Sequence, residues 1–550
     1  MRDGVRLLAR SYAPAPGTAS LPAAAARRCL LIRTDRWEDP PSGNDPARSL
    51  TGRLSSRGWT VIVQMVRGQG GSEGVFAPYS QEINDGIDTL SWLGGDGHWG
   101  RFSFVLYGMS YSGQCALYAA VHAPEHPEIA GLVCGNVSGN MNQWGLCTGG
   151  ILNGATVRQA IDWASPPDGR LRVQDFPPCS FWHPSLSPLS ARPEIEEWFL
   201  DLQRNCGRTP FWEQDCYNVR IISLMHPRMR TLFFSQWSDP FCPGTLGVYE
   251  QFCSHCINRP QVDIRQELDG CRDDAVIDWL DGACGAGAAG LNLPAAGGSA
   301  GQSHYFICGY DGANGDGTAG DAADFGNLEP TPYYLGEEAL SGTPPPARND
   351  TAALYTVFQH DPRHEPECGD RGVNFAPATP WDGRRRPLGN SMDCAVFVAP
   401  PFAEAMQLIG VPRLRMWVKS SHADATFVVR LVVRRSPRGG TASGDVAFCY
   451  GARRLSTQMA GGGPGAKSRV QELPVALEIA LRPVAAQLPA GAQLRLEVSS
   501  ADYPRFITPP NAPPLRHAPS PFLPSVNAIY HSRHYPSRLW LPLRKAAANG

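Results

Sequence analysis

The chain has 550 residues, a formal net charge of −2 and 42% hydrophobic residues. That length allows two to four domains, each able to bury a core. The near-neutral balance, with no basic stripe, argues against a nucleic-acid partner, and no apolar run approaches the length needed to span a bilayer.

Met1-Arg-Asp-Gly-Val-Arg6 has neither the apolar core nor the cleavage site of a secretory signal. The expectation is a soluble protein, cytoplasmic by default, with no membrane partner and an unassigned oligomeric state. Cys29-Leu-Leu-Ile32 and Thr60-Val-Ile-Val63 are apolar runs of buried-strand length. Between them and the next strand, Ile83, Ile87, Leu90 and Leu93 repeat at helical spacing, with Ser80 as the expected N-cap. Arg67-Gly-Gln-Gly-Gly-Ser-Glu-Gly74 lacks dinucleotide-loop spacing and would turn Glu73 toward a phosphate, so it reads as a structural turn.

Phe102-Ser-Phe-Val-Leu-Tyr-Gly-Met-Ser110-Tyr-Ser-Gly113 follows. An apolar strand ends in Gly-x-Ser-x-x-Gly, and a small-residue helix pattern (Ala116, Ala119, Ala120) begins. This is the pattern of a nucleophile elbow. The tight turn lifts a serine hydroxyl above the sheet edge, and Gly108 and Gly113 let strand and helix approach closely. Ser110 can attack an acyl carbon if a base takes its proton. Ile129-Ala-Gly-Leu-Val-Cys134 is another buried strand, and the alternating order predicts a mostly parallel α/β sheet covered on both faces.

From 141 to 229 the chain is rich in Trp, Pro, Asn and Asp and reads as an inserted helical cap. The sheet resumes at Thr231-Leu-Phe-Phe234, and the α/β part runs from 230 to 325, through a Gly/Ala-rich stretch at 282–301. After 326 the periodicity becomes two, as in Leu414-Met416-Val418 and Phe427-Val429-Leu431-Val433, which predicts a β-sandwich. The 16 cysteines show no disulfide framework. Cys253-Ser-His-Cys256 lacks a second well-spaced pair, so no zinc site is expected.

The elbow, the cap and the terminal sandwich together resemble the cocaine esterase / X-prolyl dipeptidyl-peptidase family of α/β-hydrolases. The residues that carry the likeness are Met1–Leu7 as the opening strand, Arg67-Gly68 with Ser72-Glu73-Gly74, Asp88-Thr-Leu-Ser-Trp92, Gly108-x-Ser110-Tyr111-x-Gly113, Gln236-Trp-Ser-Asp239, Asp278-Trp-Leu280 and Pro332-Tyr-Tyr-Leu335. In the last third they are Asp361-Pro362, the stretch from His422 to Leu431, Tyr503-Pro-Arg-Phe506 and Pro536-Ser-Arg-Leu-Trp-Leu-Pro542. The resemblance implies an α/β-hydrolase sheet with a helical cap and a C-terminal jelly-roll sandwich. It also implies hydrolysis of a small ester, amide or short peptide through an acyl-serine, without a cofactor. It assigns Ser110 as nucleophile and Asp239 as the acid that orients a histidine.

Two departures stand out. Where the family carries an oxyanion tyrosine in Arg-x-Pro-Tyr, this chain has Arg33-Thr-Asp-Arg36-Trp37, leaving Trp37 or Arg36 beside the backbone N–H of Tyr111 as oxyanion donors. The family's Gly-Pro-Trp-x-His segment is absent. Chain order requires a base after Asp239 and before the sandwich, which leaves His255 first and His304 second. His255 has the spacing of a packed helix residue, and His304 falls out of family order, so a chain with no orthodox base stands as the third possibility. A catalytically impaired relative that binds a ligand or partner is the alternative function.

Overall fold

A computed structural model describes residues 1–14, 27–36, 49–95, 102–123, 129–165, 189–206, 209–220, 229–256, 260–265, 271–284, 304–309, 319–321, 325–345, 354–363, 392–422, 424–434, 445–455, 473–503, 505–509, 511 and 522–546. The chain forms two compact units, residues 1–140 with 214–305, and residues 141–213 with 306–550. The sequence reading drew these lines at 230 and 326.

The first unit is built on β1 (Ala9–Tyr12), β2 (Arg27–Thr34), β3 (Thr60–Met65), β4 (Phe102–Met109), β5 (Ile129–Gly135), β6 (Arg230–Gln236), β7 (Gln261–Arg265) and β8 (His304–Phe306). They lie in the order β1-β3-β2-β4-β5-β6-β7-β8. Among these eight described strands β1 alone runs antiparallel to its neighbour; the other pairs are parallel. Strands such as Thr60–Met65 are buried at every position, as a parallel sheet covered on both faces demands. Met1–Leu7, expected as the opening strand, instead precedes β1. Its first residues form a turn closed by the Gly4 N–H donating to the Met1 carbonyl, 2.9 Å, and Arg2 is bonded to Asp88 at 2.7 Å.

The helices are α1 (Leu50–Ser55), α2 (Glu82–Gly94), α3 (Tyr111–His122), α4 (Cys242–His255) and α5 (Cys271–Cys284). Leu54 of α1 and Val276, Ile277, Trp279 and Leu280 of α5 share one core with Leu30, Val61, Val105, Val133 and Phe234. On the opposite face Phe252 of α4 stacks edge-on against Phe233, ring centroids 4.9 Å apart.

Ser80 does not cap α2. Its hydroxyl donates to the Ala77 carbonyl, and the N-cap is Gln81. The buried face of α2 is also not the apolar stripe alone. It includes Glu82, Asp85 and Thr89, while Ile83 and Ile87 are half-buried. These polar side chains are inside because each has a partner there. Asp85 takes two hydrogen bonds from Arg67 (3.0 and 2.6 Å), Thr89 donates to Gln64, and Glu82 accepts from Tyr111. The glycine-rich segment is the turn that lets this happen. Gly68, Gly70, Gly71 and Gly74 all have positive φ, which brings the chain back so that Arg67 reaches Asp85.

In the second unit, a five-strand antiparallel run (Thr331–Leu335, Arg538–Leu541, Arg413–Ser420, Ser525–Tyr530, Tyr355–His360) faces a second sheet (Cys394–Val398, Gln493–Ser499, Thr426–Arg434, Asp445–Arg454). One core of Phe358, Phe397, Met416, Phe427, Leu431, Leu496 and their neighbours fills the space between. This is the C-terminal sandwich expected from the period-two pattern. The segment read as a cap carries helices Gly154–Ala164 and Pro193–Arg204 and packs within this unit. Its strand Ile151–Asn153 pairs with Phe506–Ile507, and Ile151 joins Val428, Tyr450, Ala452 and Phe506 in a small core. Among the described residues no helix is long and apolar enough to cross a membrane.

Candidate active site

β4 ends at Met109 and α3 starts at Tyr111, so Ser110 alone makes the turn, with φ 57° and ψ −126°. A non-glycine residue holds such a conformation only where its surroundings enforce it. Here the surroundings are close. The Ser110 N–H donates to the Gly135 carbonyl, 2.9 Å. A Cβ at Gly108 would overlap the Ser112 carbonyl, and one at Gly113 would sit 2.8 Å from the Gly135 oxygen. Both glycines therefore permit the turn that presents the Ser110 side chain, which is partly exposed.

Tyr111 occupies the first turn of α3, where backbone N–H groups have no acceptor within the helix and favour negative charge. Its side chain is anchored below. The hydroxyl donates to Glu82 Oε1 and accepts from the Tyr79 N–H, 3.3 Å, and the ring packs against Phe76 and Tyr79, with centroids at 5.8 and 4.9 Å. Tyr79 itself has φ 66°, a costly conformation for a bulky residue. Burial pushes the Glu82 carboxyl above its usual 4.5, partly offset by the Tyr111 hydroxyl and Arg33.

A raised folded-state pKa gives stability that is complete below the unfolded value and is lost as pH rises through the folded value. Glu82→Gln removes this ionisation. Urea midpoints at pH 4.5 and 7.5 are expected to show the wild type losing ground to Glu82→Gln at the higher pH. Parallel behaviour at both pH values would contradict that.

Asp239 lies in the turn after β6, two strands from β4, or roughly 10 Å across the sheet. It is 1% exposed. The Phe241 N–H donates to Oδ1 and the Asn136 side-chain amide to Oδ2, both at 2.8 Å. Asn136 follows β5, between the two strands that carry Ser110 and Asp239, and has φ 52°. Its Oδ1 accepts from the Ser235 hydroxyl at 2.8 Å, which fixes the amide orientation. Two N–H donors give this buried carboxylate hydrogen-bond partners inside the fold. Sequence reasoning missed Asn136, Glu82 and Tyr79. The only local signal for Asn136 was a side chain tolerant of left-handed backbone just after a buried strand.

Of the oxyanion alternatives, Trp37 lies outside the described residues. Arg36 is exposed and leans on its neighbour, Nη2 3.4 Å from Asp35 Oδ2.

The structure does not bring His255 to Ser110. It is the last residue of the 14-residue α4, which begins near Asp239 and carries the chain about 20 Å toward the opposite sheet edge. Its ring is exposed, with Nδ1 bonded to the Gln251 carbonyl at 2.7 Å. His122, at the far end of α3, is likewise about 18 Å along the axis from the elbow. The His304 backbone pairs with Asp263 on β7. Its strand, β8, is four strands from β4, about 19 Å across the sheet, and its side chain lies outside the described residues. The segment after β7, the next strand end beyond Asp239, reads Gln-Glu-Leu-Asp-Gly at 266–270 and contains no histidine.

Residues 3–256 match the family profile of the X-Pro dipeptidyl-peptidases (S15 family), and residues 322–540 match the X-Pro dipeptidyl-peptidase C-terminal non-catalytic domain. The chain thus carries a segment that matches the S15 family model, followed by one that matches the C-terminal domain of the X-Pro dipeptidyl-peptidases. That model describes serine hydrolases, the class indicated by the elbow. Solved structures share the whole two-part architecture. An aminopeptidase from a marine sediment archaeon of the Thaumarchaeota has 17% identity and a TM-score of 0.76, over 98% of this chain and 94% of its own. An α-amino acid ester hydrolase has 18% and 0.74, over 99% and 95%. A CocE/NonD family hydrolase from Staphylococcus aureus has 16% and 0.63, over 99% and 92%. No curated protein matches by sequence. These structures share the α/β-hydrolase fold with this chain.

Proposed function

We propose that Ser110 is an acyl-accepting nucleophile, oriented with Asp239 and the Tyr111 N–H, and that this chain acts on activated esters rather than X-Pro amides. Asp239 carries the reading. A buried carboxylate is costly to keep, and this one is held by two N–H donors beside the elbow. That supports retention of the acid of a serine-hydrolase site.

The preference for esters rests on what the described residues put near Ser110. The serine oxygen bonds to the acyl carbon and yields its proton to water, the carbonyl electrons move onto oxygen, and their return expels the leaving group. An amine must be protonated to leave, and imidazolium is the usual donor. A phenolate or comparable alkoxide leaves without that proton. Where none of His122, His255 and His304 stands at the elbow, amide cleavage loses most, by about a thousandfold or more. Water then releases the acyl group from Ser110.

The check is kcat/KM for p-nitrophenyl esters of short acids and amino acids against Gly-Pro-p-nitroanilide, with Ser110→Ala as baseline. Ester turnover above the baseline, with anilide turnover at least about a thousandfold lower, is expected. Comparable rates on both would overturn the preference and imply a competent general acid.

A further inference from the structure

Two costly features converge on one hydroxyl beneath the elbow. The first is a carboxyl. Glu82 opens α2 and is buried, and desolvation pushes its carboxyl up. Its Oε1 accepts from the Tyr111 hydroxyl and its Oε2 from the Gln81 N–H, 3.0 Å. The second is backbone strain. Tyr79 holds φ 66° in the turn before α2, and its N–H donates to the same Tyr111 oxygen at 3.3 Å. The arrangement is braced from behind. Arg33 Nη1 donates to the Glu82 carbonyl at 2.7 Å and its Nε to Gln64 Oε1 at 3.0 Å, and the Thr89 hydroxyl reaches that same oxygen at 2.9 Å. Hydrogen bonds therefore run from β2 and β3 through α2 to the first residue of α3.

Packing alone does not require this. The Tyr111 ring already lies against Phe76 and Tyr79. A phenylalanine there would fill the same space with no hydroxyl to satisfy and no carboxyl to bury. The hydroxyl adds a fixed position for residue 111, which directly follows Ser110 and whose N–H is the expected oxyanion donor. Ser110 has its own restraint, the bond from its N–H to the Gly135 carbonyl at 2.9 Å. Nucleophile and donor are thus held by separate contacts.

We propose that Glu82 is a positioning residue: together with the Tyr79 N–H it holds the Tyr111 hydroxyl from below and thereby aims the Tyr111 N–H at the developing oxyanion. The inference rests on Ser110 acting as the acyl-accepting nucleophile. The N–H bonds most strongly once the carbonyl oxygen gains charge, so misplacing it weakens the transition state and leaves the bound ester nearly unchanged. Loosening a donor forfeits part of the roughly hundredfold that deleting one costs, or about tenfold. The loss falls on kcat, with KM held.

Tyr111→Phe removes the hydroxyl and keeps the ring. Glu82→Ala removes its acceptor, and Glu82→Gln keeps an oxygen for it. Turnover of p-nitrophenyl acetate is measured for each, per Ser110 labelled at the end point of a fluorophosphonate reaction, so that unfolded protein is not counted. Tyr111→Phe and Glu82→Ala should each lower kcat per labelled serine about tenfold with KM unchanged, and the two together no further. Glu82→Gln should stay within about threefold of wild type. Single variants that match wild type per labelled serine, a loss carried by KM, or losses that multiply in the double variant would overturn the proposal and leave Ser110 as nucleophile. Wild type labelled no better than Ser110→Ala would remove the nucleophile reading, and this inference with it.

Discussion

Asp85→Ala is expected to lower stability by about 3–5 kcal/mol, the usual cost of breaking a buried ion pair from one side. The side chains of Arg67 and Asp85 are 9% and 3% exposed. Removing the carboxylate leaves the guanidinium inside the fold paired with Asp3, Nη1 to Oδ2 at 2.7 Å, on a side chain that is itself half-exposed. The damage falls on the turn from Arg67 to Gly74 and on α2, which carries the Glu82 that anchors Tyr111. Denaturant unfolding followed by tryptophan fluorescence measures the loss. Because the cost lies in the orphaned charge, Arg67→Met combined with Asp85→Leu should recover much of it. A single Asp85→Ala variant within about 1 kcal/mol of wild type would show that solvent reaches Arg67 and that the pair is not structural.

Gly108→Ala carries a similar penalty by a different route. The added methyl would overlap the Ser112 carbonyl and stand 2.5 Å from the Gly113 nitrogen, all backbone atoms of the elbow. Backbone cannot rotate aside as a side chain can, so β4 and the start of α3 must separate. A destabilisation of about 3 kcal/mol or more is expected, in the range of severe overpacking. Reactivity at Ser110 should fall even in the fraction that remains folded. Gly247, on the solvent side of α4 with nothing near its missing Cβ, is the control: Gly247→Ala should be neutral or slightly stabilising. If Gly108→Ala behaved like Gly247→Ala, the tight elbow geometry would be wrong.

Much of this was legible because it rests on local rules. The elbow announces itself through Gly108, Ser110 and Gly113, since only small residues fit a strand-to-helix turn that close. The sandwich is visible in Leu414, Met416 and Val418, whose alternation follows from the pleat. What was not legible depends on long-range partners. Glu82 and Asp85 look like solvent-facing residues of an amphipathic helix, and nothing local says that Tyr111 and Arg67 wait for them. Asn136 becomes meaningful only when three parallel strands bring it beside Asp239. The grouping of residues 141–213 with the sandwich depends on Ile151–Asn153 pairing with Phe506–Ile507, more than 350 positions away. His255 shows the reverse case. Chain order favoured it, while helix length and direction carry it away from the elbow.

The central claim is that Ser110 remains a nucleophile although the described histidines of its unit lie far from it. A fluorophosphonate probe with peptide mapping tests this directly. The expected result is slow labelling confined to Ser110, absent from Ser110→Ala and unchanged in His255→Ala. Folded wild-type protein that is not labelled above Ser110→Ala, or labelling that disappears in His255→Ala, would contradict it.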